Sequence, residues 1–140
     1  MHTVEVVALI TASGLCVLIW MVQLLIYPSF IYFPNQNLRQ WHTAYTPRVT
    51  LIVAPLMLSQ LAIGIYRIYT NAAWFSIAYA ILVAAVWLTT FYIFIPIHDK
   101  IHKSTFENHL LHKLVSLNWM RTILWGAILA LEIWSVIDQI

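Results

Sequence analysis

The sequence predicts an all-α protein, a four-helix up-down-up-down transmembrane bundle. Two observations carry that prediction. The first is composition: of 140 residues, 62% are hydrophobic and only 9% charged, with mean hydropathy +0.83. Soluble domains average about 45–50% apolar and about 25% charged residues. The chain therefore has too little polar surface for a water-soluble globule, and the same numbers exclude a disordered segment or a disulfide-stapled module. Its one cysteine, Cys16, lies inside an apolar run. The second observation is the presence of four apolar stretches near the roughly 20 residues that cross a hydrocarbon core of about 30 Å. A net charge of +2, from seven Lys and Arg against five Asp and Glu, leaves no basic face for nucleic acid. The partner these features imply is the lipid bilayer.

The elements follow in order along one domain spanning 1–140. The first span covers about 4–27 and ends at Tyr27-Pro28, because proline disfavours helix in the residue before it. It lacks a basic leader, and its apolar run is longer than that of a signal peptide, so it reads as a span and not as a cleavable segment. The second covers 49–69, with Pro47 in its first turn, where a missing N–H costs little. The third covers 72–97, with Pro96 near its end. The fourth covers 105–137; it is apolar from Leu114, and Ser104-Thr-Phe-Glu107 has the pattern of a capping box that would draw its start back.

Charge sets the orientation. Arg39, Arg48, Lys100, Lys103 and Lys113 flank the connections after spans one and three, whereas only Arg67 flanks the turn after span two. The positive-inside rule then places both longer connections in the cytoplasm and both termini outside, on the periplasmic side of a multi-pass protein. Trp20, Trp41, Trp74, Trp119 and Trp134 fall towards span ends, as an interfacial belt would.

Five of the six histidines, His42, His98, His102, His109 and His112, fall on the predicted cytoplasmic side. His98 and His102 are four apart and His109 and His112 three apart, so each pair shares a helical face. In an antiparallel hairpin, facing residues keep a constant index sum. His102 with His109, and His98 with His112, satisfy that condition, which predicts four imidazoles stacked in two layers. Facing histidines are how helix bundles build metal sites. Imidazole suits iron, copper, zinc or nickel, with Asp99 and Glu107 as oxygen ligands and His42 as a fifth histidine. Haem with paired axial histidines is the other option. A histidine at the membrane boundary can also simply be hydrated.

Arg121 lies several residues inside the apolar part of span four, where a charge costs about 2.5–3.5 kcal/mol on the insertion scale and faces the protein interior. No acid occurs at its depth in the other spans. Glu5 and Glu132 lie near the opposite end, within reach of Arg67. Arg121, with Asn118 and Arg48, therefore reads as a seat for an anion, such as a lipid phosphate, a carboxylate or phenolate, or haem propionates. For Arg48, nearer water, simple solvation is the stronger reading. Gln23 and Gln60 are single polar residues of the kind that hydrogen-bond between membrane helices. Walker, dinucleotide-binding, nucleophile-elbow and CxxC motifs are absent from the sequence.

Several elements resemble a family of small four-helix membrane proteins, the anthrone-oxygenase-like proteins. Gln23-Leu-Leu-Ile-Tyr27-Pro28-Ser-Phe30 is similar to its Tyr-Pro-x-Phe element. Trp41-His42-Thr-Ala-Tyr45-Thr-Pro-Arg48 and Ala54-Pro55-Leu-Met57 resemble the approach to its second span, and Pro96-Ile-His98 its third-span ending. Asn118-Trp119-Met-Arg121-Thr122 resembles its Asn-Trp-x-Arg-Thr element. Ile26 and Tyr45 depart from the pattern, standing where relatives carry histidine. The resemblance implies cofactor-light oxygenation of polycyclic phenols.

Together these readings predict a membrane oxidoreductase or oxygenase. It would hold a transition metal or haem at the histidines and orient a lipophilic anionic aromatic or quinone-like substrate with Asn118 and Arg121. The alternative is a non-catalytic subunit of a larger membrane complex or a homo-oligomer. With no acidic pair at mid-membrane, a transporter ranks last.

Overall fold

A computed structural model describes residues 3–138. It consists of four helices, α1 (Thr3–Phe30), α2 (Asn35–Thr70), α3 (Trp74–His102) and α4 (Asn108–Ile137), each long and apolar enough to cross a membrane. Short connections make neighbours antiparallel, and each helix packs on the two beside it in the ring α1–α2–α3–α4. The five tryptophans expected at the span ends are all exposed, and the core is an apolar column that includes Leu15, Ile19, Tyr79, Val83, Trp125 and Ile128.

The helices run further than the apolar stretches predict, and the prolines are the reason the reading fell short. Neither Pro28 nor Pro96 ends its helix. Each is preceded by a π-helical segment, Val22–Ile26 in α1 and Thr90–Phe94 in α3, with the N–H of Tyr27 bonding to the Val22 carbonyl and that of Ile95 to the Thr90 carbonyl. The wider turn makes room for the proline ring, which would clash with the carbonyl four residues back in a regular helix. Its extra residue also rotates everything beyond it by about 100°. In both helices the proline stands six residues after the start of the π segment.

α2 begins at Asn35, directly after Pro34, so Pro47 lies well inside the helix together with Pro55 and not in a first turn. Membrane helices tolerate such prolines because neighbouring hydroxyls and packing compensate. Here Thr46 donates to the His42 carbonyl (2.8 Å) and Thr50 to the Thr46 carbonyl (2.8 Å), knitting the turn around Pro47.

The capping box does not form. Ser104 has φ +54°, its N–H bonds to the Ile101 carbonyl, and the Thr105 N–H bonds to the Lys100 carbonyl. This is a Schellman stop for α3. Ser104 is consumed in ending one helix, and α4 starts at Asn108 after Glu107, whose side chain makes no capping bond.

At the end opposite these loops, Arg67 and Glu132 form a bidentate buried pair (second contact 3.0 Å), with the guanidinium 5.0 Å from the Phe75 ring centroid and 4.8 Å from that of Tyr79. The pairing of Arg67 with an acid of span four is as the sequence leads one to expect. Leaving one buried charge without its partner costs roughly 3–5 kcal/mol, whereas replacing both by apolar residues of similar volume is close to neutral. Glu132→Ala should therefore lower thermal stability in detergent strongly, and Arg67→Met with Glu132→Leu should recover most of it.

Candidate functional site

The site grows from one face of α4. Asn118, Arg121, Thr122 and Trp125 recur at helical spacing and are all buried. Arg121, 8% exposed, has no carboxylate partner among the described residues. Its Nε and Nη2 donate to Asn118 Oδ1 (3.1 and 2.8 Å), Nη2 also donates to the Tyr27 hydroxyl (3.0 Å), and the guanidinium carbon lies 3.6 Å from the Phe94 ring centroid. Nη1 has no hydrogen-bond partner among the described residues, and Arg121 lines a cavity of about 640 Å³.

Two hydrogen-bond chains leave this cation. In one, Asn118 Nδ2 donates to Gln23 Oε1 (2.9 Å) and Gln23 Nε2 to the Val115 carbonyl (3.2 Å). In the other, the Tyr27 hydroxyl lies 2.9 Å from His98 Nε2, and His98 Nδ1 lies 2.8 Å from His42 Nε2. A guanidinium can only donate. Tyr27 therefore accepts from Arg121, and because its hydroxyl is buried with His98 Nε2 as the one acceptor beside it among the described residues, it spends its one proton there. His98 then carries its proton on Nδ1 and donates to His42 Nε2, which leaves the proton of His42 on Nδ1, beside Thr46 Oγ1 (3.4 Å). Both neutral imidazoles are thus Nδ1–H tautomers, and every bond in the chain points away from Arg121.

The π segments explain this convergence. Gln23 lies within the first, Phe94 closes the second, Tyr27 directly follows the first and His98 stands four residues after the second, on backbone re-aimed by the wider turn. His42 comes from the part of α2 that precedes Pro47, a stretch read from the sequence as a connection.

The predicted histidine stack is not formed. His98 turns to His42 and Tyr27, and exposed His102 contacts Thr43 (3.3 Å). His109 and His112 are exposed as well. Among the described residues no group of three or more His, Cys, Asp or Glu side chains is placed to hold a metal ion. Constant index sums hold only where the helices either side of the 103–107 loop face each other. Instead the end of α3 packs on α2, while α4 packs on α1. Asp99 pairs with Lys103 (2.7 Å) at the surface. Asn118 and Arg121 are both buried and bonded to each other, and Arg121 lines the cavity, whereas Asn118 does not line it and Arg48 is exposed and away from it. His2, the sixth histidine, lies outside the described residues.

Tyr27 is the residue that sequence reasoning passed over. Its signal in the sequence is a tyrosine fixed before a proline and four residues after Gln23, a pattern that also reads as the end of a span. Gln60 serves as an interhelical link, as expected: Oε1 accepts from Trp125 Nε1 (3.1 Å), and its buried Nε2 is left without a partner among the described residues.

The directional chain is open to measurement by imidazole ¹⁵N NMR. His42 and His98 should both show a protonated Nδ1 and a bare Nε2, and Tyr27→Phe should scramble the His98 tautomer. Nε2–H forms in the unmodified protein would contradict the assignment.

No protein-family model, curated protein or solved structure matches the chain, so its chemistry must be read from this site.

Proposed function

We propose that the protein is a membrane-embedded oxidoreductase of the oxygenase type, which binds a lipophilic phenol, enol or quinone-like substrate in the cavity beside Arg121. The observation that carries this reading is a buried guanidinium that, among the described residues, has no carboxylate partner and no acceptor at Nη1, joined through Tyr27 to a histidine pair. The cavity walls are otherwise largely apolar and aromatic, with Trp87, Phe94 and Trp125 among them, the lining expected of a site for a lipophilic ligand. A substrate oxygen seated at Nη1 gains a charge-assisted hydrogen bond, and its ionised form gains most. The substrate proton passes to Tyr27 as Tyr27 hands its own to His98 Nε2. His98 acts as the general base, Tyr27 relays, and Asn118 positions the guanidinium. A phenolate or enolate yields electrons far more readily than its conjugate acid, so ionisation prepares it for an oxidant, dioxygen where the family resemblance is followed.

The loops at 31–34 and 103–107 are assigned to the cytoplasm on the five cations near them, and Arg67 at the other end is already neutralised by Glu132. On that orientation the site lies near the cytoplasmic face.

Acid–base activation requires no resident metal. Stoichiometric iron or copper, or a Soret band, in protein purified from its membrane and lost in His42→Ala with His98→Ala would replace this reading with a metal- or haem-dependent one. Otherwise, Arg121→Gln should weaken binding of a phenolic ligand by roughly 10- to 100-fold, matching the 1.5–3 kcal/mol of a hydrogen bond to a charged group. His98→Asn should lower turnover by about 10²–10⁴ with little change in binding. Unchanged binding in Arg121→Gln would refute the reading.

A further inference from the structure

The cavity beside Arg121 lies along the seam between α2 and α3. Thr43, Pro47 and Thr50 on one helix, and Phe91, Ile95 and His102 on the other, line it and are also exposed. This rim is graded in polarity. Thr43 and His102 lie towards the loops, at the level of the polar stretch of α2 that ends at Arg48. Thr50, Phe91 and Ile95 lie deeper, alongside the apolar run that begins at Val49; Phe91 is 52% and Ile95 49% exposed. The deeper part carries no charge and offers water little to bond with, so at that depth the opening faces hydrocarbon.

We propose that the substrate is an amphiphile: its acidic or quinone head sits at Arg121, and its hydrocarbon tail passes between α2 and α3 into the bilayer. This rests on the reading of Arg121 given above and adds the form of the molecule. A tail that runs through a lipid-facing gap exchanges one apolar surrounding for another. It therefore costs no affinity when concentrations are counted in the membrane phase, whereas an enclosed cavity would exclude it. The same gap gives a lipid-dissolved molecule a route to the head site that never crosses water.

The test uses the full chain in phosphatidylcholine vesicles and two dimethoxybenzoquinones, one bearing only a methyl group and one a decyl chain. Quenching of tryptophan emission reports binding, because Trp87 and Trp125 line the cavity. On membrane-phase concentrations the two quinones should bind within about threefold of each other. Thr50→Phe, and independently Ala54→Phe, should weaken the decyl compound about tenfold by overpacking the gap and leave the methyl compound within about threefold. Binding of the methyl compound alone, or equal effects of the gap variants on both, would overturn the inference and leave the Arg121 site standing. If both compounds bind Arg121→Gln as they bind the unmodified protein, the head site fails and this inference with it.

Discussion

A donor-only cation held inside the bundle with no carboxylate partner among the described residues governs the arrangement of everything near it. A charge at membrane depth is worth about 2.5–3.5 kcal/mol against insertion, and Arg121 offsets this with three donated hydrogen bonds and close contact with the Phe94 ring. Each acceptor it takes is fixed in orientation by being taken. Asn118 must turn its oxygen inward and its nitrogen to Gln23; Tyr27 must turn its proton to His98. Two chains that look like independent polar clusters are thus one network with a single source. The contrast with Arg67 is instructive, since both Nη atoms of that guanidinium are taken by Glu132.

The network depends in turn on two backbone irregularities. A regular α-helix through Pro28 or Pro96 would clash, and the π turn that relieves the clash re-aims the segment beyond it. Tyr27 and His98 belong to those re-aimed segments, on helices that do not neighbour each other in the ring. His42 and the aromatic rings of Phe30 and Tyr45 pack around the meeting point, with Phe30 to Tyr45 at 5.9 Å and Phe30 to His42 at 6.1 Å. Local strain relief and the positions of Tyr27 and His98 are the same structural event.

This also explains what could and could not be read from the chain. Hydropathy fixes the number of helices, because a membrane leaves few alternatives for apolar runs of that length. The depth of Arg121 and its lack of an acid are plain in the sequence, as is the pairing of Arg67 with Glu132. Proline punctuates helices in water but less so in lipid, which is why α2 begins fourteen residues before the apolar run at Val49 and includes His42. The histidine stack failed because index sums assume that a hairpin's two arms face one another, and the Schellman stop at Ser104 sends them to different neighbours. No spacing rule marks a π turn, so the approach of Tyr27 to His98 was hidden although both residues stood beside prolines.

The pairing of two imidazoles in series has an electrostatic consequence. A proton that arrives at His98 creates a cation close to Arg121, and like charges in a poorly polarisable interior repel strongly. His98 Nδ1, 2.8 Å from His42 Nε2, lets the chain pass a proton onward. The positive charge then moves to the next ring, whose centre is 5.0 Å away, without any heavy atom changing place. A single histidine would leave both cations side by side. The second ring gives the network a way to hold an added proton at a distance from the Arg121 cation.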